Sequence, residues 1–95
     1  DEISSGGSLV AAANTLARFK VRKILACVTH PILSGMAPQR IASSPIDQLV
    51  VTNSVPVPED KLNPKIKVLS IAPLVGEAIR CIHRGASVST VFEKE

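Results

Sequence analysis

Aromatic side chains are almost missing from this chain: they make up 2% of 95 residues, Phe19 and Phe92, with neither Trp nor Tyr. Two isolated rings cannot build the stacking platform on which single-stranded nucleic acid rests. The net charge of +3 does not restore that reading, because the Lys and Arg residues are dispersed, and dispersed cations form a solvated face. Nucleic acid is therefore not an expected partner. Long apolar runs are also missing. A stretch such as Ile24 to Val28 falls far short of the roughly 20 residues that a bilayer span needs, so no membrane helix is expected. Cysteine is scarce: Cys27 and Cys81 sit in apolar contexts without CxxC spacing or a secretory leader. This predicts reduced, buried thiols in a cytoplasmic protein and no thiolate metal site.

Several chemical signatures are absent as well. There is no GxGxxG, no GKS or GKT of a P-loop and no GxSxG nucleophile elbow. No initiator Met is present, and only Asp1 to Ile3 precedes a polar loop, Ser4-Ser5-Gly6-Gly7-Ser8. A parallel βαβ unit needs a strand before its helix, so the chain is expected to be cut from a longer polypeptide, with that strand missing.

What remains is a mixture of 45% hydrophobic and 20% charged residues without repeats or low-complexity segments, which suits one small globular domain with one core. Leu9, Ala12, Ala13, Leu16 and Phe19 recur at helical spacing from Ser8 to about Lys20, with Ser8 as the expected cap. Lys23 to Val28 is continuously apolar after its first residue, which predicts a strand covered on both faces. Thr29 to Gly35 reads as a loop, and Ala37 to Ala42 as a short helix with Pro38 in its first turn, stopped by Ser44-Pro45. Gln48 to Thr52 is a second strand, followed by a proline-rich loop from Asn53 to Pro64 without regular structure. Lys65 to Ser70 is a third strand near a sheet edge. Pro73 opens a helix whose apolar stripe is Val75, Ala78, Ile79 and Ile82, with His83 and Arg84 at its C-terminal end and Gly85 as its stop. Ser87 to Phe92 adds a final turn. The order predicts an α/β fold with a parallel sheet.

The sharpest candidate for chemistry is the opening loop. Gly6 and Gly7 between serines let the backbone present successive N–H groups, and the helix N-terminus behind adds partial positive charge. Such a loop cradles a phosphate, although the same residues also make an ordinary strand-to-helix turn, and spacing alone leaves both readings open. Asp1, at the carboxyl end of the upstream strand, is placed to meet sugar hydroxyls or a hydrated Mg²⁺. His30 follows the apolar strand, with Ser34 and Gly35 close by, and reads either as a site residue or as a loop histidine bonded to a backbone carbonyl. His83 reads as a helix-end residue. Ser87-Val88-Ser89 is a second, weaker anion-binding pattern or an ordinary cap.

Asp1 to Ser8 resembles the 5-phosphoribosyl-1-pyrophosphate motif of type I phosphoribosyltransferase folds. Further segments narrow the resemblance: Thr29-His30 with Ser34-Gly35, Ser44-Pro45-Ile46, Leu49 to Asn53, Pro64 to Val68, Ala72-Pro73-Leu74 and Ser87-Val88-Ser89. In order and spacing they are similar to the C-terminal third of the ribose-phosphate pyrophosphokinase, or phosphoribosyl pyrophosphate synthetase, family. The resemblance spans residues 1–95 and implies a three-layer parallel-sheet phosphoribosyltransferase-like fold truncated at its N-terminal side. It implies a cytoplasmic enzyme that transfers diphosphate from ATP to ribose 5-phosphate with Mg²⁺, and a homo-oligomer in which dimers build larger rings.

By the same resemblance Ser4, Ser5, Gly6, Gly7 and Ser8 hold the ribose 5-phosphate, and Asp1 contacts the ribose hydroxyls and the metal-bearing site. Ser87, Val88 and Ser89 belong to a segment that meets phosphates of regulatory ADP or inorganic phosphate. Two departures are expected to matter. Ser4 stands where many members carry Asp, and the first acidic residue of the motif would precede Asp1. The ATP-binding residues and the basic catalytic loop are expected upstream, so this segment carries no catalytic residue and is inactive alone. The alternative is a non-catalytic regulatory or oligomerisation homologue; a phosphoribosyltransferase acting on a base is disfavoured by the downstream segments. Gly7→Ala is expected to abolish ribose 5-phosphate binding, by blocking a positive φ or a close phosphate approach.

Overall fold

The computed structural model describes residues 1–92. Its elements run β1 (Glu2–Ile3), α1 (Gly7–Ala17), β2 (Leu25–Val28), β3 (His30–Pro31), α2 (Ala37–Ala42), β4 (Gln48–Thr52), β5 (Ile66–Leu69), α3 (Ala72–His83) and α4 (Ser89–Phe92), with a 3₁₀ turn at Glu59–Lys61. All strand pairing is parallel: β2, β4 and β5 form one sheet in that order, and β1 pairs with β3. This is the α/β parallel arrangement that the sequence predicts.

The two sheets meet at Thr29. The chain leaves its pairing with β4 at Val28 and pairs with β1 from His30 onward, with Glu2 opposite His30 and Ile3 opposite Pro31. The Thr29 carbonyl accepts hydrogen bonds from the Thr52 hydroxyl at 2.6 Å and the Ser54 hydroxyl at 3.1 Å, which pins the junction. A strand therefore does precede α1, two residues long, and Thr29 to Gly35 is not wholly loop. Both departures have one cause: the pairing partners lie 28 residues apart in sequence, so no local pattern announces them.

The main core lies under β4. Leu49 and Val51 pack with Ile3, Leu33, Ala37, Ile41 and Ile66, and a second cluster of Ala13, Ile24 and Ile46 joins it through Leu9 and Ala26. The opposite face of the sheet is open. Leu25 and Leu69 are exposed, as is Cys27, so β2 is covered on one face and the Cys27 thiol is not buried. Cys81, on α3, is buried as expected, with its sulfur 3.8 Å from the hydroxyl of Thr90 on α4.

Helix ends follow backbone chemistry more than side-chain caps. The N-cap of α1 is Gly6 rather than Ser8, in the left-handed region at φ 82°, and no side chain caps this end. The helix stops at Ala17, after which the N–H groups of Phe19 and Lys20 reach back only three residues, the tighter bonding that ends helices. α2 begins with Ala37-Pro38 as expected, and α3 opens at Ala72 with Pro73 and closes before Gly85 at φ 70°. The predicted stripe on α3 does not face a core: Ile79 is 61% and Ile82 68% exposed, and only Cys81 of this helix is buried. The proline-rich segment holds the 3₁₀ turn, against the expectation of no regular structure.

Asp47 ties the start of β2 to that of β4. Its carboxylate accepts the Ile24 N–H at 2.7 Å while its own N–H donates to the Ile24 carbonyl at 2.8 Å. Asp47→Ala leaves the Ile24 N–H unpaired beside a buried side chain and is expected to lower the unfolding free energy by about 1–3 kcal/mol. A urea titration reads this as a lower midpoint, with a smaller drop for Asp47→Asn, which keeps an acceptor.

Candidate functional site

The loop between β1 and α1 borders a cavity of about 440 Å³ lined by Glu2, Ile3, Ser4 to Leu9 and Val28. Five of the six residues expected to hold a sugar phosphate thus share one concavity at the N-terminal end of an eleven-residue helix. Asp1 does not line it. Its carbonyl accepts the His30 N–H at 2.9 Å, and Glu2 is the carboxylate at the cavity wall.

The loop is held from several sides. The carbonyls of Ile3 and Ser4 accept N–H bonds from Leu33 and Ser34 at 3.0 and 2.9 Å, continuing the β1 pairing beyond its two residues. The Ser4 and Ser34 hydroxyls lie 3.0 Å apart. The Ser5 hydroxyl accepts a long bond from the Gly7 N–H at 3.5 Å, and the Gly6 carbonyl accepts the Val10 N–H at 3.0 Å. Among the described residues, the N–H groups of Gly6, Ser8 and Leu9 have no protein partner. Unpaired N–H donors gathered at the positive end of a helix dipole are the chemistry that suits an anion.

The glycines divide their work differently from the expectation. Gly6, buried, is the one with positive φ; Gly7 is not in the left-handed region, and a Cβ there would meet only the Ser5 hydroxyl at 3.7 Å. A conformational demand therefore falls on Gly6.

Arg40 is the participant that sequence reading passes over. It projects from α2 and its Nη1 donates to the Ser5 carbonyl at 3.0 Å. No local motif marks it, since the contact depends on how α2 packs beside the loop. His30 is exposed beside the same loop, its Nδ1 2.8 Å from the Ser54 hydroxyl. Its partner is a side chain from the proline-rich segment rather than the backbone carbonyl of the ordinary loop reading. His83 closes α3 and is exposed, as a helix-end residue would be.

Ser87, Val88 and Ser89 lie elsewhere. The Ser87 and Ser89 hydroxyls are 2.7 Å apart, the Ser89 N–H donates to the Ser87 hydroxyl at 3.3 Å, and none of the three lines the cavity. The hydroxyls satisfy one another as a cap to the short α4. Among the described residues no group of three or more His, Cys, Asp or Glu is placed to hold a metal ion, and no helix is long and apolar enough to cross a membrane.

Comparison with known proteins gives consistent matches. A family described as phosphoribosyl synthetase-associated domain matches residues 1–93. Ribose-phosphate pyrophosphokinase of Aquifex aeolicus (strain VF5) is 52% identical over 92 residues, covering 97% of this chain and 29% of that protein. The enzyme of the same name from Listeria ivanovii is 50% identical over 93 residues, again 29% of its length. The crystal structure of phosphoribosylpyrophosphate synthetase from Mycobacterium smegmatis superposes with a TM-score of 0.87 at 38% identity, over 90% of this chain and 29% of that one. The chain spans less than a third of the relatives it matches. The expected position in their C-terminal third is not borne out by these matches, which give the extent of the overlap.

Proposed function

The chain belongs to the phosphoribosyl synthetase-associated domain family, and from that premise we propose that it is the ribose 5-phosphate-binding portion of a ribose-phosphate pyrophosphokinase. The whole polypeptide would transfer the diphosphoryl group of ATP to the 1-hydroxyl of ribose 5-phosphate. One observation carries the reading: the cavity at the start of α1, lined by Ser4 to Ser8, where the N–H groups of Gly6 and Ser8 are unpaired. A phosphate dianion supplies the acceptors these donors lack, and the dipole of α1 favours its charge. The serine hydroxyls add donors that adjust to the phosphate oxygens.

Mg²⁺ belongs to this proposal as a substrate-borne ion. Mg²⁺ keeps several waters and is bound through one or two carboxylates together with substrate phosphates rather than by an all-protein cage. Glu2, the carboxylate at the cavity wall, would supply one such ligand, and among the described residues no group of three or more ligands gathers into a cage. When bound, the ion neutralises phosphate charge. The chain's own residues hold the 5-phosphate and thereby fix the sugar, so that the 1-hydroxyl is presented to groups outside this segment. Positioning of this kind is a large share of phosphoryl-transfer catalysis, but it is only half a site, and the segment alone is expected to be inactive.

A second reading, a non-catalytic homologue that keeps the fold and its association surfaces, is favoured by one detail. Ser4 engages the Ser34 hydroxyl at 3.0 Å, where the family resemblance leads one to expect a carboxylate free to meet the ribose. Two measurements on the full-length polypeptide carrying this chain separate the readings. Isothermal titration with ribose 5-phosphate is expected to show one site, and absence of heat at millimolar ligand removes both the loop assignment and the enzyme. An assay for ATP-dependent formation of 5-phosphoribosyl 1-pyrophosphate is expected to be positive; binding without turnover establishes the homologue.

A further inference from the structure

We infer that Arg40 is a positioning residue for the anion-binding loop, an inference that rests on the phosphate reading above. Arg40 stands 35 residues from Ser5 in sequence, yet its guanidinium donates to the Ser5 carbonyl at 3.0 Å. It is not among the residues that line the cavity, whereas Ser5 and Gly6 both are. The guanidinium therefore holds the loop without itself lining the cavity.

A trans peptide unit is planar, and its carbonyl and the following N–H point in opposite directions. No peptide bond among the described residues is cis. With the Ser5 carbonyl turned to Arg40, the Gly6 N–H is turned away from Arg40, in a loop whose Ser5 and Gly6 both line the cavity. That N–H has no protein partner. The same contact also engages the carbonyl oxygen, which would otherwise repel an anion, with a cation.

The loop needs this restraint because of where its freedom lies. Ser4 is fixed on both sides, by the Ser34 N–H on its carbonyl and the Ser34 hydroxyl on its side chain. Beyond it, the Gly6 carbonyl accepts the Val10 N–H and Gly6 stands as the N-cap of α1. The Ser5–Gly6 peptide between these anchors is flanked by glycine, which adopts either sign of φ with little penalty, so rotation of that unit is otherwise cheap. A charged donor on its carbonyl converts a permissive hinge into a fixed N–H.

The test uses the full-length polypeptide, with ribose 5-phosphate as ligand in isothermal titration. Arg40→Met is expected to weaken binding about tenfold, the scale of a hydrogen bond from a charged group. Arg40→Lys, which keeps one charged donor on a long stem, is expected to return to within about threefold of wild type. In the ligand-free protein, hydrogen–deuterium exchange in a peptide covering residues 4–9 is expected to be faster in Arg40→Met than in wild type, a change that an arginine acting only on the ligand would not cause. Wild-type protein that does not bind overturns the phosphate reading and this inference together. Wild-type binding with Arg40→Met within twofold of it overturns the inference alone. So does weak binding with unchanged exchange, or a lysine variant as weak as the methionine one.

Discussion

Gly6→Val is expected to weaken ribose 5-phosphate binding by the full-length polypeptide about ten- to a hundredfold while the domain still folds. Gly6 sits at φ 82°, where a β-branched residue is a genuine outlier. For the Cβ the penalty is conformational rather than a clash, because its nearest atoms are those of Ala37 and Ile3 at 3.7 to 3.9 Å, ordinary contact distances, and the γ-methyls of valine add crowding at this buried position. Holding a non-glycine residue in this region costs about 1–3 kcal/mol, and each 1.4 kcal/mol is roughly tenfold in affinity. The chain escapes that strain by rotating the Ser5–Gly6 or Gly6–Gly7 peptide, and either rotation redirects an N–H of the concavity. Isothermal titration of the variant reads the loss. Gly7→Ala is the informative companion, because its backbone is not in the left-handed region and an added Cβ meets only the Ser5 hydroxyl. A loss of affinity there reports close approach of the phosphate to that residue, not strain.

Leu49→Ala is the substitution expected to damage the fold most, by about 2–5 kcal/mol in unfolding free energy. Leu49 lies in the central strand β4, is fully buried, and packs in the cluster that contains Ile3, Leu33, Ala37 and Ile41. A domain of this size has a total stability of about 5–15 kcal/mol, so the loss is a large fraction of the whole. Leu25→Ala supplies the contrast: Leu25 is 59% exposed on the neighbouring strand β2, and its truncation is expected to change stability by no more than about 0.5 kcal/mol. Urea unfolding of both variants checks the pair. Equal losses would mean that the open face of the sheet is covered in solution.

The two expectations are connected through Ile3. This residue closes the core beneath the loop and, by its carbonyl, accepts the Leu33 N–H that prolongs the β1 pairing. A well-packed interior is stiff because its side chains interdigitate with few voids, and this stiffness is what holds an exposed loop such as Ser4 to Ser8 in one shape. Core packing and site geometry are in that sense one property of the molecule.

Much of the architecture is written in local chemistry. Pro38 and Pro73 stand in the first turns of α2 and α3, Gly85 follows the end of α3, and β4 covers the same five residues in pattern and in structure. These features depend on a proline's fixed φ, a glycine's freedom and the β-propensity of Val-Val-Thr, all of which act within a few residues. The loop from Ser4 to Ser8 was legible for the same reason: small residues before a helix leave donors unpaired whatever the rest of the chain does.

What local chemistry could not supply were contacts between distant segments. A continuous apolar run at Ile24 to Val28 signals burial but not on how many faces, and here only one face of β2 meets other elements while Cys27 stays exposed. The stripe of α3 is amphipathic in sequence, yet no core receives Ile79 or Ile82 among the described residues. The β1–β3 pairing, the Ser4–Ser34 contact and the Arg40–Ser5 hydrogen bond each join residues about 30 apart, and none has a periodicity to betray it. The chain's own pattern therefore settles where a glycine-bearing turn opens a helix and which helices and strands surround it. Which N–H groups that turn leaves free, and what holds them in place, follows from packing α2 and β3 against it, because hydrogen-bond direction is set by neighbours in space and not by neighbours in sequence.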